Sequence, residues 1–219
     1  MRSRMLGTVS AALLLFGSAH ADAIFHTGNT ISNQVNVTGT LGGTGMTITG
    51  VVNAGGVQAP IEFTSPQNMM GGNGAANSVS VTSGFINSVT ISSPGFSFSS
   101  IQFNPQGLSG AGILMVSVLM TNGQTFTCPG SATCPISTYG ALHGQNFLGV
   151  FAQNGEKISS VTISSTAGPG TGFMSLDQVR FSNVPGEFVP NPVPEPGSLW
   201  LLGAGVIGLA GMARRKLGM

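Results

Sequence analysis

Between Met46 and Ser182, short runs of Val, Ile, Phe and Thr recur about every 8 to 15 residues, and Gly, Asn, Pro or Ser closes each run. Runs of that length and composition suit strands, and no stretch before the last 26 residues keeps the 3.6-residue apolar period of an amphipathic helix. Strands are expected at Met46–Val52, Ser78–Thr82, Ser88–Ser92, Ser97–Phe103, Ile113–Met120, Gln124–Thr127, Asn146–Ala152, Ile158–Ser164 and Met174–Ser182. Nine or ten short strands imply an all-β fold, an antiparallel two-sheet β-sandwich of jelly-roll type. Ile113–Met120 is almost continuously apolar and is expected to be buried on both faces. Asn122-Gly123 and Asn154-Gly155 supply the positive φ angles of two-residue type I′ turns, so each is expected to close a hairpin. The Gly-, Thr- and Asn-rich region Gly28–Asn77 is expected to be a mobile loop.

Ile86-Asn87-Ser88-Val89-Thr90-Ile91-Ser92-Ser93 returns, with seven of eight positions matched, as Ile158-Ser159-Ser160-Val161-Thr162-Ile163-Ser164-Ser165. The echo reads either as a duplicated half-domain or as two equivalent strands in a low-complexity background. Thr38, Thr40, Thr44, Thr47 and Thr49 show no strict repeat along the chain, so a regular Thr face of the kind that meets ice is not indicated.

Charge excludes more than it suggests. From Ala23 to Gly155 the only formally charged side chain is Glu62. The segment Asp22–Val193 carries Asp22, Glu62, Glu156, Asp177 and Glu187 against Lys157 and Arg180, a formal net of −3. No basic patch is available to neutralise phosphates, which argues against nucleic acid as a partner. A surface made polar by Ser, Thr, Asn and Gln suits hydrated polysaccharide, and equally a plain secreted structural protein.

The two ends of the chain are of a different kind. Arg2 and Arg4 precede an apolar run Leu6–Phe16, and Ala19-His20-Ala21 is an A-x-A cleavage site, so residues 1–21 read as a signal peptide removed by signal peptidase. At the other end, Val193-Pro194-Glu195-Pro196-Gly197 leads into an apolar run from Ser198 to Ala213, followed by Arg214-Arg215-Lys216. Sixteen helical residues span about 24 Å, slightly short of the roughly 30 Å hydrocarbon core. Flanking basic side chains snorkel to cover the difference. The basic stop is expected to stay cytoplasmic, with the Pro-Glu-Pro motif on the far side of the inner membrane. Its two prolines keep that motif extended and accessible to a processing enzyme. A sorting signal and a plain single-pass anchor fit these features about equally.

Pro194, Glu195 and Pro196, the glycine-containing apolar helix about 198–213 and the basic stop Arg214, Arg215 and Lys216 resemble the PEP-CTERM sorting domain, here 194–219. The resemblance implies a protein exported by a Gram-negative bacterium that makes extracellular polysaccharide. It also implies an exosortase as processing partner, a transient stay in the inner membrane, and release or attachment at the cell surface. The same tail is catalogued as an ice-binding protein C-terminal domain, a label that does not itself imply ice binding. The expected organisation is a signal peptide 1–21, an extracellular domain 22–184, a Pro-rich spacer 185–193 and the sorting domain 194–219.

Within the domain, Cys128 and Cys134 form a C-x5-C loop, which in an exported chain suggests a disulfide. Lys157–Ile163 followed by Phe173–Phe181 is similar to the closing strands of other PEP-CTERM proteins and of jelly-roll carbohydrate-binding modules. There an Asp near the position of Asp177 helps hold a structural Ca²⁺. Calcium wants six to eight oxygen ligands, so an Asp177–Arg180 surface pair or a turn-capping Asp competes with that role. The G-x-G-x-x-G at Gly203–Gly208 lies inside the apolar tail and lacks a βαβ unit. No nucleophile elbow is present, and a glycosidase would need Glu62 paired with Glu156 or Asp177. No catalytic residue and no cofactor are therefore expected. The expected function is a non-enzymatic surface or matrix protein associated with exopolysaccharide or biofilm. The alternative is a carbohydrate-binding module relying on Tyr139 and several Phe.

Overall fold

The computed structural model describes residues 23–28, 31, 34–36, 44–54, 56–72, 78–81, 83–107, 114–129, 145–166, 172–182 and 189–190. They form fourteen strands in chain order: β1 (Ala23–Thr27), β2 (Gln34–Asn36), β3 (Thr44–Ala54), β4 (Val57–Gly71), β5 (Val79–Val81), β6 (Ser88–Ser92), β7 (Phe96–Ser97), β8 (Ser100–Gln106), β9 (Leu114–Met120), β10 (Thr125–Cys128), β11 (Leu148–Ala152), β12 (Ile158–Ser165), β13 (Ser175–Ser182) and β14 (Val189–Pro190). Among the described residues no helix is long and apolar enough to cross a membrane. The signal peptide and the apolar tail 198–213 lie outside them.

Twelve strands make one antiparallel sheet in the order β1-β11-β8-β13-β5-β4-β6-β12-β9-β10, with β2 added on β13 and β3 on β4. The sheet wraps around a single apolar cluster and comes close to a closed barrel, with β1 and β10 as its two ends. The separate sheets expected of a sandwich are thus joined. The joint is β5, whose Val79 and Ser80 pair with Gly71 and Met70 of β4 on one side and with Leu176 and Ser175 of β13 on the other.

Within the region expected to hold a mobile loop, the strand expected at Met46–Val52 is present in β3, and the stretch after it is a second long strand, β4, so that the two make the longest hairpin among the described residues. β3 and β4 pair from Thr47↔Thr64 to Ala54↔Val57 across Gly55-Gly56. A Gly-Gly pair between strands is a hairpin signal, but Pro60 and Pro66 inside β4 mask its strand character. Pro66 is tolerated because the β3–β4 register shifts there: Thr47 faces Thr64 while Gly45 faces Met69. The backbone of the shifted stretch turns to side chains, with Gln67 N–H donating to Ser65 Oγ at 3.1 Å and Asn87 N–H to Gln67 Oε1 at 3.2 Å. Inward, β4 presents Ala59, Ile61, Phe63 and Met69, all at or near zero exposure.

β9 alternates buried and partly exposed residues, and Leu119 is 40 % exposed. Its apolar run therefore does not mean burial on both faces. That place belongs to β8, where Ser100 to Pro105 are all buried, including Gln102 and Asn104. Their polarity hides β8 from a hydropathy reading. Phe98 and Phe181 close the core beneath it, edge to face with ring centroids 5.1 Å apart.

The two Asn-Gly turns part company. Asn154 and Gly155 have φ of 54° and 78°, and Glu156 N–H donates to Gln153 O at 2.9 Å, which is type I′ geometry. Yet β11 and β12 do not pair; β11 lies between β1 and β8, and β12 between β6 and β9. Asn122-Gly123 does close the β9–β10 hairpin, but only Gly123 has positive φ. Met120 N–H donates to Gln124 O, so Thr121, Asn122 and Gly123 form a three-residue loop with glycine in the left-handed position.

Gly172 is where backbone crowds backbone. Ile86 and Phe173 form an isolated bridge with bonds of 2.8 and 3.1 Å, and a Cβ on Gly172 would run into the Ile86 carbonyl. Gly172→Ala is expected to destabilise the fold by roughly 1–3 kcal/mol in urea denaturation. Gly45→Ala, whose added methyl meets nothing closer than 3.7 Å, is the control and should change little. Equal effects would refute the steric account.

Candidate functional site

A cavity of about 520 Å³ opens beside the joint between β5 and β13. Ser78, Ser80, Ser83, Ser175 and Asp177 give it polar walls, and Val81, Gly84 and Met174 complete it. The register explains the grouping. Ser80 faces Ser175 across the β5–β13 ladder, and alternation puts Asp177 two residues along on the same face as Ser175. Met174 is 57 % exposed at the rim. Gly107 makes room for it, since a Cβ there would sit 2.8 Å from Met174 Cγ and Sδ.

Just beyond Asp177 the strand bulges. Asp177 faces Asn104 and Arg180 faces Gln102, so Gln178 and Val179 oppose a single residue of β8. Gln178 takes φ of 50°, a left-handed conformation that costs a non-glycine residue free energy. The bulge resets alternation, keeping Leu176, Val179 and Phe181 in the core while Asp177 faces outward. Arg180 donates to Gln178 Oε1 at 2.7 Å and lies over the Phe147 ring, 5.0 Å from its centroid. Burial raises the Asp177 pKa above its ordinary 3.8, and a hydrogen bond with Ser175 partly offsets the rise. The Asp177–Arg180 pair considered from sequence is not among the causes of that shift.

A second feature covers the outer face of β3, β4, β6, β12, β9 and β10. One row across all six strands reads Thr47, Thr64, Thr90, Thr162, Ser117, Thr127, each residue directly facing the next. Thr90 and Thr162 hydroxyls are 2.9 Å apart, and Ser117 and Thr127 hydroxyls 3.3 Å. The adjacent row is Thr49, Glu62, Ser92, Ser160, Leu119, Thr125. Glu62 is the only charged residue on these six strands. The sequence hid this array because its regularity runs between strands about 4.8 Å apart and not along the chain.

Of the residues singled out from sequence, Asp177 lies in the cavity, and neither Glu62 nor Glu156 lines it. Cys128 ends β10 and is buried, whereas Cys134 lies outside the described residues. So do Tyr139, Ala19, Ala21, Pro194, Glu195, Pro196, Arg214, Arg215 and Lys216. Two residues of the expected spacer, Val189–Pro190, pair with Ser97 and Phe96. Among the described residues no group of three His, Cys, Asp or Glu is placed to hold a metal. Sequence reasoning missed the serines of the cavity, which nothing but the β5–β13 register brings together.

Compared with known families, residues 192–216 match the PEP-CTERM protein-sorting motif. The chain carries a PEP-CTERM tail. That motif marks an exported precursor, anchored in the membrane and sorted to the cell surface by an exosortase. No curated protein and no solved structure matches the chain.

Asp177 in this exported domain offers a pH test. With a folded pKa above the unfolded one, the folded state holds the proton more tightly. The stability it contributes is full below about pH 3.8 and is lost as pH rises through the folded value. At neutral pH its buried charge is therefore a cost. Asp177→Asn is expected to raise the denaturation midpoint at pH 7, with the gain shrinking as pH falls through the folded pKa and gone below about pH 3.8. A midpoint lowered at pH 7 would mean that the carboxylate is structurally required.

Proposed function

We propose that this protein is a non-enzymatic surface or matrix protein of a Gram-negative bacterium, exported, processed by exosortase and held in extracellular polysaccharide or biofilm. The observation that carries the reading is the sorting motif at 192–216 attached to an all-β domain almost free of charge. In this reading signal peptidase cuts after Ala21, helix 198–213 holds the precursor in the inner membrane, and Arg214, Arg215 and Lys216 stay cytoplasmic. Exosortase then acts at Pro194, Glu195 and Pro196. Cys128 and Cys134 form a disulfide in the oxidising compartment, consistent with the lack of a free thiol among the described cysteines. Among the described residues that line the cavity Asp177 is the one carboxylate, where a glycosidase would need two across a cleft.

The hydroxyl row from Thr47 to Thr127 supports contact with a neutral, hydrated polymer. Each hydroxyl both donates and accepts, and the face offers neither a cationic patch nor a dense anionic one. A second reading, a carbohydrate-binding module, is favoured by the Ser- and Asp177-lined cavity.

The intact mass of the protein recovered from its host tests the sorting steps. A species running from Asp22 to near Pro196, alone or with an adduct, is expected; a mass that retains Leu199–Met219 would leave only a plain anchor. The same sample should take up two alkyl groups after reduction and none before it. For the hydroxyl face, the double substitution Thr90→Val with Thr162→Val keeps β-branched shape while deleting two central hydroxyls. It is expected to lower co-fractionation with cell-surface polysaccharide at unchanged thermal stability, and unchanged co-fractionation would remove the face from the account.

A further inference from the structure

We propose that the cavity between β5 and β13 binds a neutral polyhydroxylated ligand, one sugar unit of a polysaccharide, with the Asp177 carboxylate accepting a pair of ligand hydroxyls. The assignment rests on the polysaccharide reading above and names the place and chemistry of recognition. At about 520 Å³ the cavity falls within the roughly 300–1,000 Å³ of small-molecule sites.

Its walls exclude the other ligand classes in turn. Among the described residues no Lys, Arg or His lines it, so phosphate, sulfate and carboxylate ligands would meet the Asp177 charge uncompensated. A divalent cation such as Ca²⁺ seeks six to eight oxygens, usually with several carboxylates, and Asp177 is the one carboxylate among the described lining residues. None of those residues offers an aromatic ring to stack a base. An ammonium group would satisfy Asp177 but, having no acceptor, could take no hydrogen bond from the hydroxyls of Ser78 and Ser80.

A sugar ring meets every demand. Adjacent hydroxyls donate to the two carboxylate oxygens, the serine hydroxyls donate to and accept from the remaining ring oxygens, and Met174 at the rim covers a C–H face. The carboxylate is half-buried and, among the described residues, takes a side-chain hydrogen bond from Ser175, while its two oxygens can accept more than one. Ligand hydroxyls supply the further donors. Bonds to a charged acceptor are the strong ones, so they carry most of the selectivity.

Saturation-transfer NMR on the detergent-solubilised full chain, with a panel of neutral methyl hexopyranosides, tests the assignment. Transfer to at least one glycoside is expected. Asp177→Asn should weaken binding roughly 10- to 100-fold, the loss of a hydrogen bond to a charged group. Ser80→Ala should weaken it less, and binding to the native protein should fade as pH drops through the Asp177 pKa. No transfer to any glycoside, equal affinity in Asp177→Asn, preference for an aminohexoside over its neutral parent, or transfer that requires added Ca²⁺ would each overturn the proposal. Failure here with normal processing and polysaccharide co-fractionation would sink the cavity assignment alone. Sugar binding by a protein that is never processed would sink the sorting reading alone.

Discussion

Three residues, Val79–Val81, decide that this fold is one sheet and not two. β5 pairs with β4 through Met70 and Gly71 and with β13 through Ser175 and Leu176, so hydrogen bonding runs unbroken from β1 to β10. In a chain with so few charges, backbone groups near the core find their partners chiefly in the ladder, and a gap there would leave buried donors and acceptors unpaired. Val79 is wholly buried, so the joint is fastened to the core as well as to its neighbours. The same joint places Ser78 and Ser80 beside Ser175 and Asp177. The cavity is thus a by-product of the way the two halves are sewn together.

The internal echo has a structural meaning of its own. Its two copies, β6 and β12, are antiparallel neighbours, and the matched residues Thr90 and Thr162 face each other at the centre of the pairing. Their preceding residues behave alike: Ile86 bridges Phe173, and Ile158 bridges Phe98. A local twofold thus relates the pairs on either side of Thr90 and Thr162. It does not extend to chain order, because β4 is preceded by its hairpin partner β3 while β9 is followed by β10. The twofold makes the hydroxyl row symmetrical, with Thr64 and Ser117 flanking the central pair.

The sequence was most legible where local and tertiary demands agree. β6 alternates cleanly, β12 and β13 alternate on either side of one irregularity each, their apolar residues go inward, and the limits of all three were read within a residue or so. It misled where one local rule was outvoted. The Gly, Thr and Asn content of Gly28–Asn77 signalled a loop, and β4 carries two prolines besides, but Pro66 sits in a register shift that needs no donor from it. The apolar run of β9 signalled double burial, yet Met115 and Leu119 point outward. Gln102 and Asn104 made β8 read as ordinary although it is the most enclosed strand, with Asn146 N–H donating to Asn104 Oδ1 at 2.7 Å. The PEP-CTERM motif was legible because sorting signals are read as linear peptide. The cavity was not, since Ser78, Ser80 and Ser83 lie almost a hundred residues before Ser175 and Asp177 in the chain and only register unites them.

Where the tail leaves the domain bears on how it is processed. Val189 and Pro190 pair with Ser97 and Phe96, and the family motif begins two residues later. At no more than about 3.6 Å per residue, Pro194 lies within about 14 Å of the paired Pro190, whatever conformation the chain takes between them. An enzyme that grips Pro194, Glu195 and Pro196 as an extended peptide therefore works close against the folded domain while β14 is paired. Because the domain's surface is nearly neutral, it adds little electrostatic repulsion against an anionic membrane during that approach. In the processing proposed above, the same lack of charge that shapes the hydroxyl face also suits the domain to a position near the bilayer.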